Sequence, residues 1–296
     1  MNICCTCDDK YVLPLRVMLE SLARYDTDVA FWLVYSDIDE VNLSAIAADT
    51  QCYGWSFNPV KIEGNTLRLC ESLPAIQYFT KEVYYRLFIP WILRDCDRAI
   101  YMDCDTLVRG KISELYDAEM GGVVLGAVPD SKAANERGNI ARLGLVGRYY
   151  NSGVLLIDCE TIRGRYTQEE MCALIADAVS GNDLVYPDQD LINLIFQGRI
   201  LTLATVWNFT TNLKSDISMI VSRSEMQKVR VIHYIGGTKP WHPEYIRWPV
   251  FEYWKHLRNF LSDEEKFAYW KRKRFLRGQF GRIPKKIKYL CSNKLY

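Results

Sequence analysis

Short apolar runs alternate along this chain with stretches of helical periodicity, and that alternation limits the fold more than any other feature. Asn2 to Cys7, Val29 to Tyr35 and Trp55 to Ile62 read as strands. Between them, Val12 to Tyr25 repeats apolar residues at helical spacing through Val12, Leu15, Leu19 and Leu22, and Ile38 to Ala48 reads as a second helix. Strands separated by helices pair in parallel, because a parallel neighbour is reached only by a crossover. Further along, Ala99 to Met102, Val123 to Val128, Val154 to Ile157 and Val229 to Tyr234 extend the strand pattern. Lys81 to Leu93 is an aromatic-rich helical stretch and Ser131 to Arg142 a looser helical or loop segment. The expectation is a single Rossmann-like α/β domain with a mostly parallel central sheet.

In such a sheet ligands bind outside the carboxyl ends of the strands, so the polar residues there carry the functional argument. Asp103, Cys104 and Asp105 follow the run Ala99 to Met102. Two carboxylates one residue apart can aim at one divalent cation, although the same residues also suit a solvated turn. Arg86 lies among apolar neighbours, as a snorkelling surface residue or as part of a site. Asn151, Ser152 and Gly153 precede an unbroken apolar strand, and small residues there let something approach the backbone closely. Asp188 has the composition of a helix N-cap and Asp190 suits a first helical turn, so a well-capped helix explains Asp188-Gln189-Asp190 as readily as a binding site does. His233 ends the last strand and is followed by Gly236, Gly237 and Lys239, a set that suits a cation and phosphate oxygens or a structural histidine beside a loop. Neither GxGxxG nor GxxxxGK occurs, so a nucleotide bound here needs a metal and side chains for its phosphates.

Charge is unevenly distributed. Of 37 Lys and Arg, ten fall in residues 271–296, which hold no Asp or Glu, so an acidic body carries a basic tail. The tail interleaves cations with apolar residues, as in Trp270-Lys271-Arg272-Lys273-Arg274-Phe275-Leu276, which suits an anionic leaflet. A solvated tail is the plain alternative; an acidic body without a nucleic-acid-binding signature argues against nucleic acid. The resulting division is a catalytic domain over 1–262 and a basic segment over 263–296. Ten cysteines show no framework spacing, and Cys5 and Cys7 lack a CxxC pair, so they read as reduced, buried residues of a cytosolic protein. No apolar run reaches 18 residues, and Asp8-Asp9-Lys10 comes too early for a signal-peptide core.

Together, Thr6-Cys7-Asp8-Asp9-Lys10-Tyr11, Tyr85-Arg86-Leu87, Tyr101-Met102-Asp103-Cys104-Asp105, Tyr150-Asn151-Ser152-Gly153-Val154-Leu155-Leu156, Asp188-Gln189-Asp190 and His233-Tyr234 with Gly236 and Lys239-Pro240-Trp241-His242 resemble glycosyltransferase family 8 in order and spacing over roughly residues 1 to 260. The resemblance implies a GT-A-type enzyme that transfers galactose or glucose from a UDP-sugar to a surface glycan, such as lipopolysaccharide or capsule, with retention at the anomeric carbon. It implies Asp103, Asp105 and His233 as ligands of Mn²⁺, with Mg²⁺ an alternative, and Lys239 and Gly236 at the phosphates. Thr6, Asp8 and Tyr11 fall at the base, Asp103 also counts among the donor-binding residues, and Arg86, Asn151, Ser152, Asp188 and Gln189 fall around the donor hexose, with Gln189 and Asp188 the catalytic candidates. Lys10 departs from the small polar residue expected at its position. A peripheral enzyme at the inner membrane face, acting on a glycan or lipid-linked glycan, is the implied setting. A glycogenin-like initiator that glucosylates its own tyrosine, and a nucleotide-sugar binder without turnover, are the alternatives.

Overall fold

Each apolar run named above becomes a strand in a computed structural model of the protein, which describes residues 1–73, 81–130, 133–211, 223–242, 245, 249–268 and 271. The strands are β1 (Asn2–Thr6), β2 (Ala30–Tyr35), β3 (Ser56–Lys61), β4 (Arg98–Met102), β5 (Thr106–Val108), β6 (Leu125–Pro129), β7 (Tyr150–Asp158), β8 (Ile200–Thr202), β9 (Phe209–Thr210) and β10 (Val231–His233). Among the described residues they form a seven-stranded sheet in the order β3-β2-β1-β4-β7-β6-β8 and a three-stranded sheet in the order β5-β10-β9. β1 pairs in parallel with β2 and β4, β2 with β3, and β6 with β8, whereas β7 runs against both β4 and β6. The large sheet is thus mostly parallel, with β7 reversed inside it.

Period-two alternation with apolar residues on both sides explains the two cores. Ile3, Cys5, Ile100, Met102, Val154 and Leu156 face the helix Val12–Ala23 in one cluster. Cys4, Ala99, Tyr101, Leu155 and Ile157 face Tyr84, Phe88 and Leu191 in the other. Pro59 is accommodated because β3 is the edge strand, where a missing backbone donor costs no ladder bond. The described cysteines are free, and Cys4, Cys5, Cys7, Cys70, Cys96, Cys104 and Cys159 are buried.

Several expectations shift. The second helix runs Glu40–Cys52 because Asp39 caps it, accepting from Asn42 N at 2.7 Å, and leaves Ile38 outside. Lys81–Phe88 is a 3-10 helix followed by the short α-helix Ile89–Ile92, with Pro90 in the first turn. The loose segment is the helix Ala133–Leu143. Asn151, Ser152 and Gly153 lie within β7 rather than before it. The last predicted strand belongs to the small sheet, where β10 pairs antiparallel with β5, a strand too short to show in the sequence. The basic tail lies outside the described residues apart from Lys271, and no described helix is long and apolar enough to cross a membrane.

The small sheet is covered by the helix Val250–Leu257, whose Val250, Tyr253, Trp254 and Leu257 pack with Leu107, Ile232, Tyr234 and Val17. Glu20 ties this helix to Val12–Ala23. Its carboxylate accepts from His256 Nδ1, from Arg24 Nη2 at 2.6 Å and from Asn259 Nδ2 at 2.9 Å. Burial alone would raise the Glu20 carboxyl, but the bonds from His256 and Arg24 outweigh it and hold the group below its ordinary value. A carboxylate with a depressed folded pKa stabilises the fold above its unfolded value of about 4.3 and loses that contribution as pH falls through the folded value. Glu20→Gln should therefore cost roughly 1–3 kcal/mol at pH 7. Urea unfolding from pH 7 to pH 3 checks it: the gap between variant and parent should hold down to about pH 5 and close below about 4.

Candidate functional site

Beyond Met102, Asp103, Cys104 and Asp105 carry the chain from β4 in the large sheet to β5 in the small one. Both ends of this connector are pinned by backbone bonds: Asp103 N donates to Gly153 O at 2.8 Å, and Tyr234 N donates to Asp105 O at 3.0 Å. The β5–β10 register sets His233 opposite Thr106, one residue beyond Asp105. His233 Nε2 consequently lies 3.2 Å from Asp105 Oδ1 and 3.6 Å from Asp103 Oδ2. One donor atom from each of the three residues falls within 4.8 Å of the others. An octahedral cation with bonds of about 2.1 Å spaces neighbouring donors about 3 Å apart, so two carboxylates and an imidazole in this arrangement fit a divalent ion. Gly153 provides the room. A Cβ there would sit 2.6 Å from His233 Nδ1 and 2.8 Å from Asp103 Oδ2.

Arg86 is the buried cation beside this cluster. It contacts Asp103 Oδ1 at 3.1 Å and Asp188 Oδ2 at 2.9 Å, donates to Ser152 O at 3.1 Å and to Val83 O at 2.9 Å, and stacks 4.5 Å over the Tyr101 ring. Burial works against its charge, and Asp103 and Asp188 more than offset that, so its pKa is raised and it stays a cation. For Asp188 burial is the larger influence, and its carboxyl is raised above the ordinary range despite Arg86. Asp105 behaves oppositely: burial pushes it up, but Lys239 and His233 hold it well below the usual carboxylate range. Lys239 Nζ donates to Asp105 Oδ2 and, at 3.0 Å, to Tyr234 O.

A cleft of ≈ 330 Å³ opens in front of these groups, and Thr6, Asp8, Tyr11, Arg86, Asp103, Asp105 and Lys239 all line it. Thr6 Oγ1 shares a hydrogen bond with Tyr101 Oη at 3.0 Å, and Tyr101 Oη donates to Asp103 Oδ1 at 2.7 Å. Asp8 accepts from Tyr11 N at 3.0 Å, and the Tyr11 ring meets Trp241 edge-on at 5.7 Å. Gly236 takes a left-handed turn at φ 93°, and its neighbour Gly237 reaches the cleft wall. Asn151, Ser152, Asp188 and Gln189 form a buried group behind Arg86 and are not part of that lining. Ser152 Oγ donates to Asp188 Oδ2 at 2.7 Å, and Asn151 Nδ2 donates to Gln189 Oε1 at 2.8 Å.

Asp188 does not cap its helix. Pro187–Ile195 begins after Tyr186 without a side-chain cap, and it is Asp190 that accepts from Val185 N at 2.8 Å and Tyr186 N at 3.0 Å. Asp190 is fully buried, also bonded to Arg142 and Tyr149, which frees Asp188 for Ser152 and Arg86. Sequence reasoning missed two residues of this neighbourhood. Asp130 follows β6 and contacts Gln189 Nε2 at 3.3 Å; its place after a strand end was the available signal. Asn208 Oδ1 lies 3.0 Å from His233 Nδ1, and nothing in its local sequence marks it.

Residues 2–244 match the model of Glycosyl transferase family 8. General stress protein A of Bacillus subtilis (strain 168) is 28% identical over 279 residues, covering 88% of this chain and 96% of that protein. Lipopolysaccharide 1,2-glucosyltransferase of Escherichia coli (strain K12) is 31% identical over 199 residues, 64% of this chain and 57% of that longer protein. Among solved structures, a galactosyltransferase LgtC in complex with donor and acceptor sugar analogues superposes with a TM-score of 0.76 at 26% identity, over 90% of this chain and 99% of the other.

Because the space above Gly153 is taken by His233 and Asp103, Gly153→Ala should displace one of them while leaving the sheet formed. Binding of Mn²⁺, followed by the loss of free-ion electron paramagnetic resonance signal, should weaken on the order of tenfold or more, with circular dichroism unchanged. Parent-like binding would mean that the imidazole and carboxylate do not converge on a cation.

Proposed function

The chain belongs to glycosyltransferase family 8, and on that premise we propose that it moves a hexose, galactose or glucose, from a UDP-sugar to a surface glycan with retention at the anomeric carbon. It is a sugar transferase with the GT-A-like fold of that family, and a binder without turnover is set aside. The observation that carries the finer reading is the convergence of Asp103, Asp105 and His233 at the end of β4, beside a cleft that Tyr11 and Asp8 also line. On this reading Asp103, Asp105 and His233 hold Mn²⁺ or Mg²⁺, which when bound supplies Lewis-acid stabilisation of the departing diphosphate. Lys239 leaves Asp105 to meet phosphate oxygens, with the Gly236 turn presenting backbone beside them. Thr6, Asp8 and Tyr11 receive the base. Arg86, Asn151, Ser152 and Asp188 hold the hexose end, and Gln189 supports charge at the anomeric carbon. The acceptor class is supported by the names of the relatives, which include a lipopolysaccharide glucosyltransferase and a structure with an acceptor sugar analogue.

The basic run over 271–296 gives this reading its location, since each Lys or Arg near an anionic leaflet contributes about 1 kcal/mol and ten of them suffice even when most are screened. The enzyme then works as a peripheral protein on the cytoplasmic membrane face, where a lipid-linked glycan is presented. Deleting 271–296 should release it from anionic vesicles in a sedimentation assay while transfer to a small soluble acceptor survives. Vesicle binding that persists after the deletion would remove the tail from the account.

Turnover of a panel of UDP-sugars with Mn²⁺ tests the reaction itself. UDP-galactose or UDP-glucose should be used, and transfer should vanish in EDTA and in Asp105→Asn. Gln189→Ala should lower kcat on the order of 10² with UDP affinity nearly unchanged. Full turnover in EDTA, or no transfer from any UDP-hexose, would sink the assignment.

A further inference from the structure

Which nitrogen of His233 carries a proton decides whether its imidazole can hold a cation at Nε2, and the groups around the ring settle this. Two backbone donors on β7 have an unambiguous direction. Gly153 N donates to Asn151 Oδ1 at 3.0 Å, and Ser152 N donates to Gln189 Oε1 at 3.3 Å. Both amide oxygens are therefore acceptors, and each amide nitrogen points the other way. Asn151 Nδ2 then donates to Gln189 Oε1 at 2.8 Å, and Asn151 Oδ1 takes a second donor, Asn208 Nδ2, at 2.7 Å. With its nitrogen committed to Asn151, Asn208 presents Oδ1 to His233 Nδ1 at 3.0 Å. An amide oxygen can only accept, so Nδ1 must be the protonated nitrogen.

We infer that Asn208 is a positioning residue that locks His233 as the Nδ1–H tautomer, turning the Nε2 lone pair toward Asp103 and Asp105, and that the same amide links this ligand through Asn151 to Gln189. The proposal rests on the reading of Asp103, Asp105 and His233 as a cation site. Asn208 is 1% exposed, so its amide has no water to turn to, and every polar atom of it is committed to this chain of bonds. Its position follows from the small sheet: it directly precedes β9, whose parallel register sets Phe209 beside Ile232 and Thr210 beside His233. The link gives the two halves of the site a shared constraint. Moving the ring proton to Nε2 would leave Asn208 Oδ1 facing an unprotonated Nδ1, and turning Asn208 over to meet it would set its Oδ1 against Asn151 Oδ1. That strain passes to Gln189, because Asn151 cannot turn without losing the Gly153 amide.

Two measurements test this. The first needs no variant. Two-bond ¹H–¹⁵N spectra of the metal-free chain at pH 8 report the protonation of each ring nitrogen, and three histidines are few enough to assign by replacing His242 and His256 in turn. A protonated Nδ1 on His233 is expected; a pyridine-type Nδ1 would overturn the proposal. The second is Mn²⁺ affinity by electron paramagnetic resonance. Asn208→Ala should weaken binding 10–100-fold, the range for partners that orient a metal ligand. Asn208→Asp keeps an acceptor for Nδ1–H and should restore most of that affinity, yet it cannot donate to Asn151, so kcat should stay low while Mn²⁺ binds. Parent-like Mn²⁺ affinity in Asn208→Ala, alongside its loss in Asp105→Asn, overturns the positioning role alone. Parent-like affinity in Asp105→Asn instead removes the cation site beneath it.

Discussion

Three consecutive residues join the two sheets, and the site depends on that junction. Asp103 is bonded through its backbone to β7 of the large sheet, and Asp105 to Tyr234 at the end of β10 in the small one. A tripeptide pinned at both ends has few conformations left, so its two carboxylates are directed by the ladders rather than by their own rotamers. The reversed strand β7 completes the arrangement. Were it parallel to β4, its Asn151, Ser152 and Gly153 would sit at the far edge of the sheet. Running antiparallel, it brings them beside the end of β4, with Met102 opposite Val154. Gly153 then becomes the floor on which His233 and Asp103 rest.

Concentrating Asp103, Asp105 and Asp188 in so little volume is expensive unless cations are placed with them. Arg86 serves two of the three, bridging Asp103 and Asp188, and Lys239 serves the third. The two cations differ in what they can do. Arg86 is enclosed, with donors also fixed on Ser152 O and Val83 O, and Tyr101 covers its face. It is a permanent part of the frame, and a planar fork suits that task. Lys239 sits on a glycine-containing turn at the cleft wall and holds Asp105 by a single ammonium on a flexible stem. On the proposed reading, Asp105 would serve as a ligand of a bound divalent ion, and Lys239, no longer needed to neutralise it, would be free to meet phosphate oxygens.

The sequence carried the sheet and most of the site because both rest on local patterns. Short runs separated by helical periodicity pointed to β1 to β4, which are five or six residues long, and strand-end carboxylates pointed to Asp103 and Asp105. What escaped is non-local. β5 and β9 are three and two residues long and exist because β10 pairs with both, so no period betrays them. The direction of β7 is likewise a property of its neighbours. Asp188 and Asp190 share the composition of a helix start, and only tertiary contacts separate them: Asp190 meets the free amides of Val185 and Tyr186, leaving Asp188 to Arg86. Asn208 lay beyond reach for the same reason, 25 residues from the histidine it contacts.

These contacts also bear on how retention is achieved under the proposed reaction. Double displacement requires an oxygen nucleophile free to form a bond at the anomeric carbon. Gln189 Oε1 already accepts from Asn151 Nδ2 and Ser152 N, and Asp188 Oδ2 is held by Ser152 Oγ and Arg86. Freeing Gln189 Oε1 would strand two buried donors at about 1–3 kcal/mol each, and drawing the Asp188 carboxylate toward the sugar would pull it from the buried Arg86 guanidinium. That cost would fall in the transition state, where an enzyme gains most by having its groups already in place. A front-face route, in which the leaving diphosphate takes the proton of the incoming hydroxyl, leaves every one of these bonds intact. It asks Gln189 and Asp188 only to present a fixed field to the developing positive charge, and Asp188, held between Arg86 and Ser152 Oγ, is suited to that and ill suited to leaving its partners.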